Sequence, residues 1–249
     1  SYAVTPEAIE LTKAYFACLN IEAIIPNNIT GKDLLCANQD SMRFQLLKEA
    51  LYDSTTDGIM MLRGGYGLTP LMSQLLKLNK PEKEKLFIGF SDGTALHLML
   101  NQEWGWVSLH GPGAIQLAQH KVGAQTTEST LKIIQQGLKN FLPPPLIPLN
   151  KMAEEFKMLS GSMTGGNLCL IACSLGTKWQ ILTEGKILFL EDSDEYGYRI
   201  DRMLTQLQQA NVFEKVKAVI LGDFIGGEEK DGTSLVEPVL KRFTNEAPF

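Results

Sequence analysis

Apolar residues in this chain cluster in short unbroken runs rather than alternating with polar ones. "DGIMML", "KLFIGF" and "WVSLH" each place several together, and the segments between them space apolar positions three and four apart, as in "PLMSQLLKL" and "GTALHLMLNQEW". Unbroken runs predict strands buried on both faces, and the intervening period predicts helices that cover them. Upstream, Thr5-Pro6-Glu7 carries a capping hydroxyl, a proline at the first helical position and an acid in the first turn, so a helix is predicted from there to about Leu19. "IEAII" then reads as a strand and "QDSMRFQLLKEALY" as an amphipathic helix. The rhythm returns after the prolines, with "FKMLSGSMTGGNL", a helix through "CLIACSLG", the strand "KILFLED", the helix "YRIDRMLTQLQQA" and the strand "KAVILGDF". The pattern as a whole predicts an α/β protein built on parallel sheets.

Between the two halves lies "FLPPPLIPLN", Phe141–Asn150, whose successive prolines cannot continue a helix and stiffen an extended segment. The expected organisation is an N-terminal domain over 1–140, a linker over 141–160 and a smaller C-terminal domain over 161–249. The first element is a helix with no strand before it. The last, "SLVEPVLKRFTNEA", is a helix followed directly by Pro248-Phe249. An α/β sheet ordinarily opens on a strand and returns to one, so the chain is expected to extend in both directions and the C-terminal domain to be incomplete.

Composition narrows the function. Of 249 residues, 44% are hydrophobic and 20% charged, which is ordinary for a globular protein. The net charge of −5, without a basic stripe, argues against a nucleic-acid partner. No apolar run is long enough to span a bilayer. Cys18, Cys36, Cys169 and Cys173 lack both a disulfide framework and a metal-type spacing, which favours reduced thiols and the cytoplasm.

Three glycine- or acid-rich loops follow predicted strands, where parallel sheets gather their ligands. In Gly89-Phe90-Ser91-Asp92-Gly93 a serine sits at a strand–helix corner between two glycines. Ser91 fits an exposed nucleophile with the following amide, that of Asp92, as an oxyanion donor. It fits equally a helix cap. Arg63-Gly64-Gly65-Tyr66-Gly67 ends a neighbouring strand and offers either a tight turn or a second donor near Gly65. Glu191, with three acids after it, suits the orienting carboxylate of a triad, a hard-cation ligand or a helix cap. A serine also needs a base. His97 lies about 9 Å along the same helix from Ser91 and on another face. His110 ends a strand beside the site and is, on the residues alone, the candidate base; His120 reads as surface.

Taken together, "RGGYG", "GFSDGTALH", "HGP", "GGNL", "LFLED…YRIDRML" and "ILGDF" resemble the LD-carboxypeptidases, serine peptidases that include muramoyl-tetrapeptide carboxypeptidases and microcin C self-immunity hydrolases. The resemblance runs along nearly the whole chain. It implies an N-terminal α/β domain of the class I glutamine amidotransferase/flavodoxin-like kind and a smaller C-terminal swivelling β/α domain. It implies Ser91 as nucleophile, Glu191 as the orienting carboxylate and an oxyanion hole from the amides of Asp92 and Gly65. Arg63 and Tyr66 are then candidates for substrate binding, although Arg63 serves a structural ion pair just as well. The implied substrate is a peptidoglycan tetrapeptide, cleaved before its terminal D-alanine without metal or cofactor by a homodimer. In that family the triad histidine belongs to a Gly-His-Gly segment near the C-terminus, so it is expected beyond Phe249, and His110, part of "HGP", is not the base. The alternatives are an immunity hydrolase acting on aminoacyl-nucleotide analogues and a non-catalytic ligand-binding module.

Overall fold

A computed structural model describes residues 4–137 and 144–246. The chain divides into two compact units, Ser1–Pro143 and Pro144–Phe249. Residues 141–143 of the expected linker, and Pro248-Phe249 at the end, lie outside the described residues. Within the rest of the expected linker, Lys151–Glu154 form one helical turn, numbered α7 below, started by Asn150 accepting from Ala153 N at 2.8 Å.

In the first unit β1 (Gly58–Met60), β2 (Leu86–Gly89) and β3 (Ser108–His110) form a parallel sheet in that order. The predicted long helices are present as α1 (Pro6–Cys18) and α2 (Asp40–Tyr52). Thr5 caps α1 by accepting from Ala8 N at 3.2 Å. The apolar segment after Arg63-Gly64-Gly65 gives a 3₁₀ turn, Thr69–Leu71, and the short helix α3, Met72–Leu75. After β2 comes α4 (Thr94–Met99), whose residues are all buried. It widens into a π-helical turn over Leu100–Trp104 and stops at Gly105, which takes the left-handed conformation at φ 66°. Phe87 and Ile88 of the central strand are buried together with Leu96, Leu98 and Met99 of α4. That all-round burial explains why both segments lack a polar face in the sequence.

Residues 21–25 correct one expectation. "IEAII" forms no strand; Ile21 N donates to Phe16 O, and Ile24 is 62% exposed. A strand needs a partner, and Ile21 and Ala23 instead pack on Phe16, Ala114 and Leu117, where α1 meets α5 (Ala114–Ala118). α5 and α6 (Ala124–Gln136) had not been anticipated.

The second unit repeats the plan. β4 (Met163–Asn167), β5 (Ile187–Ser193) and β6 (Ala218–Ile225) are parallel and in order. α8 (Leu168–Ser174), α9 (Gly197–Gln209) and α10 (Val236–Glu246) accompany them. Leu168, Ile171, Leu188, Leu190, Ile200, Leu204 and Leu207 make its core. No helix among the described residues is long and apolar enough to cross a membrane.

β4 can approach β5 because Gly165 has no side chain; a Cβ there would lie 1.9 Å from the Phe189 carbonyl oxygen, and its φ is 130°. Gly165→Ala is therefore expected to destabilise the fold by ~2 kcal/mol or more, read as a lower urea midpoint. An unchanged midpoint would contradict this strand spacing.

Candidate active site

Ser91 is one of six non-glycine residues with positive φ among the described residues, and it stands at a strand–helix corner. β2 ends at Gly89, Phe90 is extended at φ −151°, and Ser91 turns into the left-handed region at φ 54° before a 3₁₀ turn, Ser91–Gly93, feeds α4. A non-glycine residue held there costs ~1–3 kcal/mol and persists only where its surroundings impose it. Those surroundings are visible. A Cβ at Gly89 would meet Met61 Sδ at 2.6 Å and Phe87 Cζ at 2.8 Å, and one at Gly93 would meet the same sulfur at 2.6 Å. Met61, just beyond β1, thus fills the space inside the corner, and the two glycines admit it. The Gly-x-Ser-x-Gly spacing follows from packing as well as from turning.

The loop after β1 lies against this corner. A Cβ at Gly64 would stand 3.0 Å from Phe90 Cζ and 3.5 Å from Ser91 Cβ, so the loop's backbone passes directly over the serine. Gly65, with φ 124°, holds a conformation that residues with side chains rarely adopt. Arg63 is half-buried and Tyr66 is 48% exposed. Ser91, Asp92, Gly65, Arg63 and Tyr66 therefore all belong to two adjoining strand ends of the first unit.

Asp92 has a second role that no local sequence pattern signals. Its side chain is buried, and Oδ2 accepts from Leu68 N, at the far end of the glycine loop, at 2.8 Å. Burial pushes its carboxyl above the usual range, opposed by the loop's amides and by the nearby Arg43 guanidinium. Arg43, on α2, donates to Gly67 O and pairs with Asp40.

The histidines separate clearly. His97 is buried; its Nε2 donates to Gly89 O at 2.9 Å, and Nδ1 accepts from the Ser108 hydroxyl at 2.7 Å. Burial drives its pKa down to about 3. It braces β2 against β3 as a neutral imidazole. His110 pairs with Gly89 across the sheet, and burial lowers its pKa to about 4. His120 is exposed beside Tyr15.

Glu191 belongs to the second unit. It lies within β5, two residues before the strand's end, rather than at its tip. Leu190 pairs with Leu221 but Asp192 with Phe224, so Gly222 and Asp223 both stand opposite Glu191. Such a bulge re-aims the side chains beside it. Burial, then the neighbouring Asp192 charge, raises the Glu191 pKa to about 7, against a hydrogen bond from Asn167. Asp192 is itself buried and accepts from Asn167 Nδ2 at 2.8 Å, Ser193 N at 2.9 Å and Cys169 N at 2.9 Å. Asn167 Oδ1 caps α8 through Leu170 N at 3.1 Å. "GGNL" pointed to this junction in the sequence; the part played by Asp192 did not show. Among the described residues no three His, Cys, Asp or Glu side chains are grouped to hold a metal ion.

Two α/β units, each on a three-stranded parallel sheet, with a strained serine under a glycine loop in the first, define the architecture. The LD-carboxypeptidase N-terminal domain profile matches residues 1–111 and the LD-carboxypeptidase C-terminal domain profile matches residues 160–249. The chain belongs to the LD-carboxypeptidase family. It is 44% identical over 206 residues to a putative carboxypeptidase of Rickettsia conorii, covering 83% of this chain and 65% of that protein's length. The Escherichia coli microcin C7 self-immunity protein is 28% identical over 80% of this chain and 65% of its own. Among solved structures, muramoyltetrapeptide carboxypeptidase from Oxalobacter formigenes superposes with a TM-score of 0.77 at 25% identity, over all of this chain and 84% of that one.

The Glu191 shift makes a prediction with a definite sign. Its pKa rises on folding from the ordinary 4.5 to about 7. As pH climbs through that window, the unfolded chain sheds a proton that the folded one retains, so stability present below pH 4.5 is lost toward pH 7. Glu191→Gln removes the effect. Its urea midpoint should gain on the parent's between pH 5 and pH 8, and parallel midpoints would contradict the shift.

Proposed function

We propose that this chain carries the nucleophile and the orienting carboxylate of a serine LD-carboxypeptidase that removes the terminal D-alanine of peptidoglycan tetrapeptides. The observation that supports this most is Ser91 held at φ 54° after a parallel strand, directly beneath the Arg63–Gly67 loop. Strain of this kind is maintained where a side chain must be presented.

In this reading Ser91 Oγ attacks the carbonyl joining the L-centre of the diamino acid to D-alanine. A histidine takes the hydroxyl proton and returns it to the departing amine, leaving an acyl-enzyme that water then clears. The amides of Asp92 and Gly65 donate to the oxygen on which negative charge develops. Glu191 orients the histidine and stabilises its charged form. His97, neutral with both nitrogens engaged, is unsuited to the base's part, and burial of His110 disfavours its cation. The histidine is assigned to sequence following Phe249, as the family resemblance implies. Arg63 is the candidate partner for the substrate's terminal carboxylate, and Tyr66, 48% exposed, for its body. The route calls on no metal or organic cofactor. A cytoplasmic homodimer acting in cell-wall recycling, without nucleic-acid or membrane partners, completes the proposal.

The likeness to the microcin self-immunity protein favours one second reading, hydrolysis of an aminoacyl-nucleotide analogue. A direct comparison separates the two. The full-length gene product, given a tetrapeptide ending in D-alanine, is expected to release D-alanine faster than it cleaves an aminoacyl-sulfamoyl adenosine. Ser91→Ala should lower that release by ~10⁴-fold or more. Faster cleavage of the nucleotide analogue would transfer the assignment to the second reading, and undiminished release by Ser91→Ala would remove the nucleophile.

A further inference from the structure

The loop bearing Gly65 is fixed at three consecutive residues by three different side chains. The Tyr66 carbonyl accepts from the Cys36 thiol at 3.5 Å, the Gly67 carbonyl from Arg43 Nη1, and the Leu68 amide donates to Asp92 Oδ2 at 2.8 Å. The last contact links the loop to the residue that follows the proposed nucleophile. Arg43 holds the same loop from the α2 side, and its own position is set by Asn38 O at 3.3 Å and by Asp40. Both side chains are substantially withdrawn from water, Asp92 at 5% exposure and the Arg43 side chain at 14%. Burying charge is costly unless its partners are well placed. Gly64, Gly65 and Gly67 bring no side chains to hold the loop, so these contacts add to its rigidity.

We propose that the Asp92 carboxylate and the Arg43 guanidinium are positioning residues that clamp the Arg63–Leu68 loop at its adjacent residues Leu68 and Gly67 and so fix the Gly65 amide relative to the Ser91 hydroxyl. Asp92 thereby acts twice: its backbone amide belongs to the proposed oxyanion hole, and its side chain sets where the other donor stands. The inference rests on the peptidase reading above. Rate in such a site depends steeply on donor placement, because loss of one donor costs ~10²–10³-fold. Donor placement acts on kcat, while the Arg63 and Tyr66 side chains of the same loop carry any accompanying change in KM.

The test uses the full-length enzyme, a tetrapeptide substrate and a peptide boronic acid that forms a tetrahedral adduct on the serine. Asp92→Ala should lower kcat by ~10–100-fold, a larger factor than its rise in KM, and weaken the boronate by a factor similar to the loss in kcat. Asp92→Asn keeps an oxygen able to accept from Leu68 N and should recover most of that loss. Arg43→Ala, on a helix that alanine suits, should lower kcat in the same direction, and it decides the matter if Asp92→Ala fails to fold. Unchanged kcat and boronate affinity in the folded variants would overturn the clamp, as would an Asp92→Asn enzyme no better than Asp92→Ala. If Ser91→Ala instead retains activity, the peptidase reading fails rather than the clamp.

Discussion

One backbone constraint organises the first unit: the chain must leave β2 and enter α4 through a left-handed serine. Around Ser91, Phe90 lies against the neighbouring loop at Gly64, and Met61 fills the space that Gly89 and Gly93 leave open. The cost, ~1–3 kcal/mol, is borne by the packing of Phe87, Ile88 and the buried face of α4. His97 adds to this by tying Gly89 O to the Ser108 hydroxyl across the sheet. A histidine that looks chemical in the sequence is a brace.

The two units share a device at their strand ends. In each, a buried aspartate directly follows the residue proposed for chemistry, and its carboxylate accepts from an amide just past the neighbouring strand. Asp92 takes Leu68 N beyond β1, and Asp192 takes Cys169 N beyond β4. Burial raises the pKa of both, and the hydrogen bonds each accepts oppose that rise. The carboxylate therefore couples two adjacent strand ends that the sheet ladder alone would leave free to splay. The second unit adds a bulge at Glu191, which changes the strand's register at the residue that matters.

Much of this was legible in the sequence. Unbroken apolar runs such as "KLFIGF" marked parallel strands because burial on both faces removes the polar alternation. The glycine spacing around Ser91 marked the corner, since few arrangements other than close packing and a sharp turn require two glycines there. "IEAII" misled because an apolar run does not say what it will pack against; Ile21 and Ala23 joined a helix pair instead of a sheet. Arg43 sat unremarked in an amphipathic helix, and Asp92 was read for its backbone amide. Their importance lies in contacts 24 residues apart in sequence, which no local pattern encodes.

The central claim is that the Ser91 hydroxyl is presented as an activated nucleophile, and covalent trapping tests it most directly. The full-length gene product treated with a serine-directed fluorophosphonate should gain the mass of one adduct. Peptide mapping should place that adduct on Ser91. A stable mass, or a label on a different serine, would contradict the account.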